Sequence, residues 1–193
     1  MRGWIGMRGV GLACTGEVTV GPLASLPVSG LREPSKGRSL RSRYEMRRPA
    51  YTEEEIERLV AARMARKEVF ERTPRTSITF VQEESALRRP VGGRMVQRQQ
   101  LEHLLEVGKL RHVEIQVMPT DREDHASVSG SFRVLKLRDG KTLGYSAAEL
   151  HSRVISTPRE VQILEMRYGM IRAQALSPRK SLAFIKKVLG EET

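Results

Sequence analysis

The sequence predicts an α+β domain: a small, mainly antiparallel sheet packed against about four helices, preceded by a disordered N-terminal tail. Three observations carry that expectation. Short runs rich in β-branched and aromatic residues recur between residues 76 and 155, and Asp139-Gly140 joins two of them as a hairpin. Stretches with apolar residues at helical spacing begin after Thr52, Gly93, Thr157 and Ser177, each a helix-start signal or a break. Residues 1–48 show neither period and are rich in Gly, Ser, Pro and Arg, a composition that buries too little apolar surface to offset backbone entropy. Two regions result: a tail over 1–48 without a helix-turn-helix, and a domain over 49–190.

Taken in order, Thr52-Glu53-Glu54-Glu55 is a capping box, with Thr52 as N-cap and Glu55 as its reciprocal partner. The helix it opens is expected to run to about Arg72, with Ile56, Leu59, Val60, Met64 and Phe70 on one stripe. Arg63 and Lys67 fall within that stripe, either lying along its edge with their charges in water or pairing with an acidic partner. Thr73-Pro74 ends the helix, and Thr76 to Gln82 reads as a strand. Glu83 to Gly93 reads as a connector. A helix follows from Arg94 to Val107, with Leu101, Leu104 and Leu105 on one face and Gly108 behind it. From His112 to Met118 the alternation of Val113, Ile115 and Val117 with polar residues marks a strand, stopped by Pro119.

Residues 119–130 form a polar loop, and Ser131 to Leu137 and Lys141 to Ala147 are strands joined by a type I′ turn at Asp139-Gly140. Leu150 to Ile155 is a further extended segment. Thr157-Pro158-Arg159-Glu160 starts a helix that buries Val161, Leu164, Tyr168, Ile171 and Ala175. Ser177-Pro178 starts the last helix, which buries Leu182, Ile185 and Leu189 and leaves Gly190 past its end.

Composition narrows the function classes. The net charge is +11, but residues 1–50 hold nine Lys+Arg against three Asp+Glu, whereas the remaining 143 hold 25 against 20. The domain is therefore only mildly basic. A nucleic-acid binder acting through the basic tail is the alternative function, and its binding would be weak, sequence-independent and salt-sensitive. The single Cys14 leaves no internal disulfide and fits a reducing compartment. Glycines at 6, 9 and 11 interrupt any signal-peptide core, and no apolar run is long enough to span a membrane, so a cytoplasmic protein is expected.

No catalytic constellation emerges. The four histidines (His103, His112, His125, His151) do not stand at metal-ligand spacing, and Asp121-Arg122-Glu123-Asp124-His125 lacks the alternating oxygens of a calcium loop. Ser177 with Lys180 matches a nucleophile motif by letters, but its companion motifs are missing, and Ser177 fits better as an N-cap. Gly92-Gly93-Arg94 before a helix is no phosphate loop, although a helix N-terminus with Arg94 beside it is able to attract an anion. No enzyme, metal or cofactor is expected.

The runs Glu55-Ile56-Glu57-Arg58-Leu59-Val60, Leu87-Arg88-Arg89-Pro90-Val91-Gly92-Gly93, Gln99 to Leu105, Val113 to Pro119, His125-Ala126 with Gly130-Ser131-Phe132, and Ala175-Leu176-Ser177-Pro178 occur in one order over about 140 residues. In these the chain resembles the C-terminal domain of unknown function of actinobacterial XRE-type helix-turn-helix regulators, the antitoxin-like Scr/WhiJ type. The resemblance implies a sensing, oligomerising or partner-binding module that reaches DNA only through a full-length relative, with a small acidic protein encoded nearby as partner. A homodimer is compatible with it. Residues 1–50 cannot supply the two packed helices of a DNA reader, so a remnant, or a start beyond a frameshift, is expected, with residues 1–45 as spurious or fortuitous coding. The candidate partner-binding residues are Arg63, Arg66, Lys67, Arg88, Arg89, Gly92, Arg94 and His125.

Overall fold

A computed structural model describes residues 14–20 (backbone), 41, 44–45, 49–64, 75–123, 130–147 and 152–191. Three strands follow from β-branched runs at their expected places: β2 (Ser77–Glu83), β3 (Val113–Met118) and β4 (Phe132–Leu137). The return strand β5 (Thr142–Ala147) and the short β6 (Ser152–Ile155) complete an antiparallel trio with β4. On the other side β2 and β3 pair in parallel.

The opening segment supplies the link. Cys14–Val20 forms β1, parallel to β2 and antiparallel to β4, and joins the pair and the trio into one sheet of order β3-β2-β1-β4-β5-β6. The expectation of disorder across 1–48 is thus corrected for these seven residues. Glu17-Val18-Thr19-Val20 has strand-forming residues, but its partners lie far along the chain, and strand preference depends on such partners. Three of the five pairings are antiparallel, so the class is α+β, with a mixed sheet.

Five helices complete the described structure. Helix α1 (Glu53–Met64) opens on the capping box read from sequence: Thr52 N donates to Glu55 Oε2 at 2.9 Å, and Glu55 N donates to Thr52 Oγ1 at 3.2 Å. The expected continuation to Arg72 lies outside the described residues. A short α2 (Glu84–Arg88) stands where a plain connector was expected, being one turn too brief to show a period. Helix α3 (Arg94–Val107) crosses from β2 to β3. Helices α4 (Pro158–Gln174) and α5 (Pro178–Glu191) both start with proline in the first turn. Gly190 lies inside α5 rather than past it.

The helices cover both sheet faces. Ile78, Phe80, Ile115 and Val117 pack against Leu101 and Leu104 of α3 and Ile185 and Val188 of α5. On the opposite face Val81, Phe132, Val134 and Ile155 pack against Val161, Leu164 and Ile171 of α4. A Cβ on Gly144 of β5 would lie 2.4 Å from Leu164 Cδ1, so glycine sets how closely α4 approaches. The β4–β5 hairpin is also corrected. Gly140 has φ +82° and, among the described residues, no non-glycine has positive φ, so the turn is not type I′, which needs two. Leu137 N donates to Lys141 O and Gly140 N to Leu137 O, a three-residue loop in which Gly140 takes the left-handed position.

The exposed edge of β3 is sealed by the α4–α5 junction. Leu176 N donates to Val117 O at 2.8 Å, and Val117 N donates to Ser181 Oγ at 2.9 Å. Gln116 Nε2 adds a bond to Leu176 O at 2.9 Å. An edge strand covered this way offers less backbone for unwanted pairing.

Candidate functional site: the glycine turn at the start of α3

The turn from Leu87 to Arg94 is built by residue types that leave it little choice. Pro90 fixes its own φ, and Gly93 N donates back to Pro90 O at 3.0 Å. Gly92 (φ +85°) and Gly93 (φ +99°) follow with left-handed backbone, where any side chain would be strained. At Gly92 a Cβ would also press on Val96 Cγ1 at 3.3 Å. Gly93 is the N-cap of α3, so no side chain caps the helix, and its first turn contains no acidic residue. Uncapped N–H groups at that end carry partial positive charge.

Buried contacts hold the turn in place. Leu87 sits in the core, and Gln97 Nε2 donates to its carbonyl at 2.7 Å. Arg88 donates from Nε to Glu84 Oε1 and from NH1 to Glu191 Oε2 at the end of α5, both at 2.7 Å, and its guanidinium lies 5.4 Å from the Phe184 ring centre. Glu84 Oε2 in turn accepts from Thr120 N at 3.1 Å and Thr120 Oγ1 at 3.3 Å. One arginine therefore ties α2, α5 and the segment after β3 together.

Burial pushes the Glu84 carboxyl up, but the bonds from Arg88 and Thr120 outweigh it and hold Glu84 below its ordinary 4.5. The same pairing, with Glu84 first and Glu191 second, raises Arg88. A carboxylate with a depressed folded-state pKa contributes stability in full above its unfolded value and loses it as pH falls through the folded one. The melting-temperature gap between the protein and Glu84→Gln is therefore expected to be widest near neutrality and to close on acidification. Thermal melts from about pH 6 to about pH 2.5 read this directly, and a constant gap would contradict the clamp.

Of the sequence candidates, the turn brings Arg88, Arg89, Gly92 and Arg94 together. Arg88 is engaged internally. Arg89 and Arg94 are exposed, and no carboxylate pairs with either among the described residues. Arg63 lies in α1 with its side chain outside the described residues, and Arg66, Lys67 and His125 lie outside them altogether. Sequence reasoning did not find Glu84, Glu191, Phe184 or Gln97 as supports. The i,i+4 spacing of Glu84 and Arg88 was a usable signal, whereas Glu191 lies 103 residues from Arg88. Between Arg89 and Arg94 only arginine titrates, so the turn attracts anionic groups and supplies no proton carrier near neutral pH. Among the described residues no group of three or more His, Cys, Asp or Glu could hold a metal, and no helix is long and apolar enough to cross a membrane.

A family model described as Domain of unknown function (DUF5753) matches residues 40–187. The chain belongs to this family. No curated protein and no solved structure matches it. The DUF5753 match contains the turn, its arginine clamp up to Phe184, and α3 and α4 in full, while β1 precedes it and Glu191 follows it.

Proposed function

We propose that this DUF5753 chain is a non-enzymatic, cytoplasmic partner-binding module of an XRE-type, antitoxin-like transcription regulator. It docks a small acidic protein on the turn at the start of α3. The observation that supports this most is the pair of exposed arginines, Arg89 and Arg94, that have no carboxylate partner among the described residues and stand beside an uncapped helix N-terminus on a rigidly held turn. Carboxylates of a partner gain both charges there together with free backbone N–H groups.

Calorimetric titration of the full chain with the acidic protein encoded beside it tests the reading. Reversing both charges (Arg89→Glu with Arg94→Glu) is expected to weaken binding at least about tenfold at low salt, with less effect at about 300 mM. The melting temperature should hold or rise slightly, because both side chains are exposed and a glutamate at the start of α3 suits its positive end. Unaltered affinity in the double variant rejects this docking site. Salt-sensitive binding to nucleic acid that vanishes when Arg32, Lys36, Arg38, Arg43, Arg47 and Arg48 are neutralised, with β1 left in place, would favour the basic tail as the functional part.

A further inference from the structure

Helix α4 is apolar on two opposite sides. Val161, Leu164 and Ile171 enter the core, yet Ile163, Met166 and Met170 are exposed by 44%, 61% and 51% on the far side. With Gln162, Gly169 and Ala173 they form an outward strip without a charge. A surface helix ordinarily puts its charges there. Here the charges sit at the flanks and are already engaged: Glu165 with Lys136 at 3.6 Å, Glu160 with Arg153, Arg172 with Glu114, and Arg167 over the Phe132 ring at 5.7 Å. A methionine-rich strip between neutralised flanks is a contact surface.

We propose that this strip pairs with the same strip of a second copy of the chain, the two α4 helices antiparallel about a two-fold axis between Met166 and Met170. Charge is the first reason. The outward side of α4 carries one charge, Arg159, at its N-terminal end. Antiparallel pairing centred on residue 168 sets Arg159 beside the C-terminal end of the partner helix, the negative end of its dipole, which favours a cation. Shape is the second. In that register Met166 meets Met170 and Ile163 meets Ala173, large against small, while Gly169 leaves open space, since a Cβ there would meet nothing within 4 Å. The neutral strip offers an acidic protein no charge to pair with, and the neutralised flanks give a second copy little to repel.

Area sets the strength. Three half-exposed large side chains plus their small neighbours present roughly 400 Å² of surface, about half of what each partner of a standard stable interface contributes. The dimer is therefore a weak one, smaller than a standard stable interface.

Sedimentation equilibrium of the full chain over about 1 to 200 µM reads the association. Concentration-dependent dimerisation is expected, and a monomer across the whole range overturns the proposal. Met166→Glu with Met170→Glu should raise the dissociation constant more than about tenfold without moving the melting temperature, because both side chains face solvent. A dimer indifferent to those changes places the interface elsewhere and likewise overturns it. Met166→Lys with Met170→Glu in one chain sets unlike charges opposite each other twice in the antiparallel register, so it should restore association relative to the double glutamate variant. Failure to restore it rules out that register. Loss of acidic-protein binding in the double glutamate variant, without any dimer in the parent chain, would show that the strip belongs to the other partner.

Discussion

Truncating Leu101 to alanine is expected to destabilise the domain by about 2–5 kcal/mol, the range for removing a fully buried leucine from a close-packed core. Leu101 is fully buried and shares its cluster with Ile78, Phe80 and Ile115 of the sheet and with Ile185 of α5. Its removal opens a void where three elements meet, and neither strand can move in, because β2 and β3 are fixed in register over six residue pairs. For a chain of this size the cost corresponds to a fall in melting temperature of roughly 4–20 °C. Met95→Ala is the control. Met95 lies in the first turn of the same helix but is well exposed, so its loss should stay within about 0.5 kcal/mol. Urea titration of both variants separates the two cases. A loss below about 1 kcal/mol at Leu101 would mean that α3 does not press on the sheet as described. Because α3 carries the glycine turn at its N-terminus, the folded fraction of Leu101→Ala should still bind through Arg89 and Arg94.

What could be read from the residues, and what could not, divides along sequence distance. The limits of α3 were legible as Arg94 to Val107 because three leucines at helical spacing stand between Gly93 and Gly108. The same holds for β3, where alternation separates Val113, Ile115 and Val117 from Glu114 and Gln116. Capping chemistry is equally local, which is why Thr52 with Glu55, and Ser177 before Pro178, placed two helix starts correctly; Lys180 N donates to Ser177 Oγ at 3.4 Å. Long-range pairing left no such mark. Val18 of β1 faces Thr79 on one side and Val134 on the other, and nothing within the glycine-rich opening announces either neighbour. Arg88 suffered the same blindness: its exposure to an outside partner was a fair expectation until Glu191 and Phe184 came into view from the other end of the chain. Helix α4 illustrates a third kind of miss. Its buried face was identified, but a period fitted to one face hides a second apolar strip on the other.

Replacing Gln82 by methionine is expected to raise stability by about 1–3 kcal/mol, a gain opposite in sign to most core substitutions. Gln82 is 0% exposed, stands next to the end of β2 opposite Val117, and alternates onto the same side as Ile78 and Phe80. Neither its Nε2 nor its Oε1 has a hydrogen-bond partner among the described residues. An amide buried without a partner forfeits its bonds to water and gains none in return. Methionine has nearly the same length and volume, so it removes the polar atoms without opening a cavity. Gln97 supplies the opposite case. It too is buried with Oε1 unbonded, but its Nε2 donates to Leu87 O at 2.7 Å. Gln97→Met would leave that buried carbonyl unpaired and free the turn that Leu87 anchors, so it should cost about 1–3 kcal/mol. Chemical denaturation of the two variants thus has to return opposite signs. A destabilised Gln82→Met would show that its amide is satisfied from beyond the described residues.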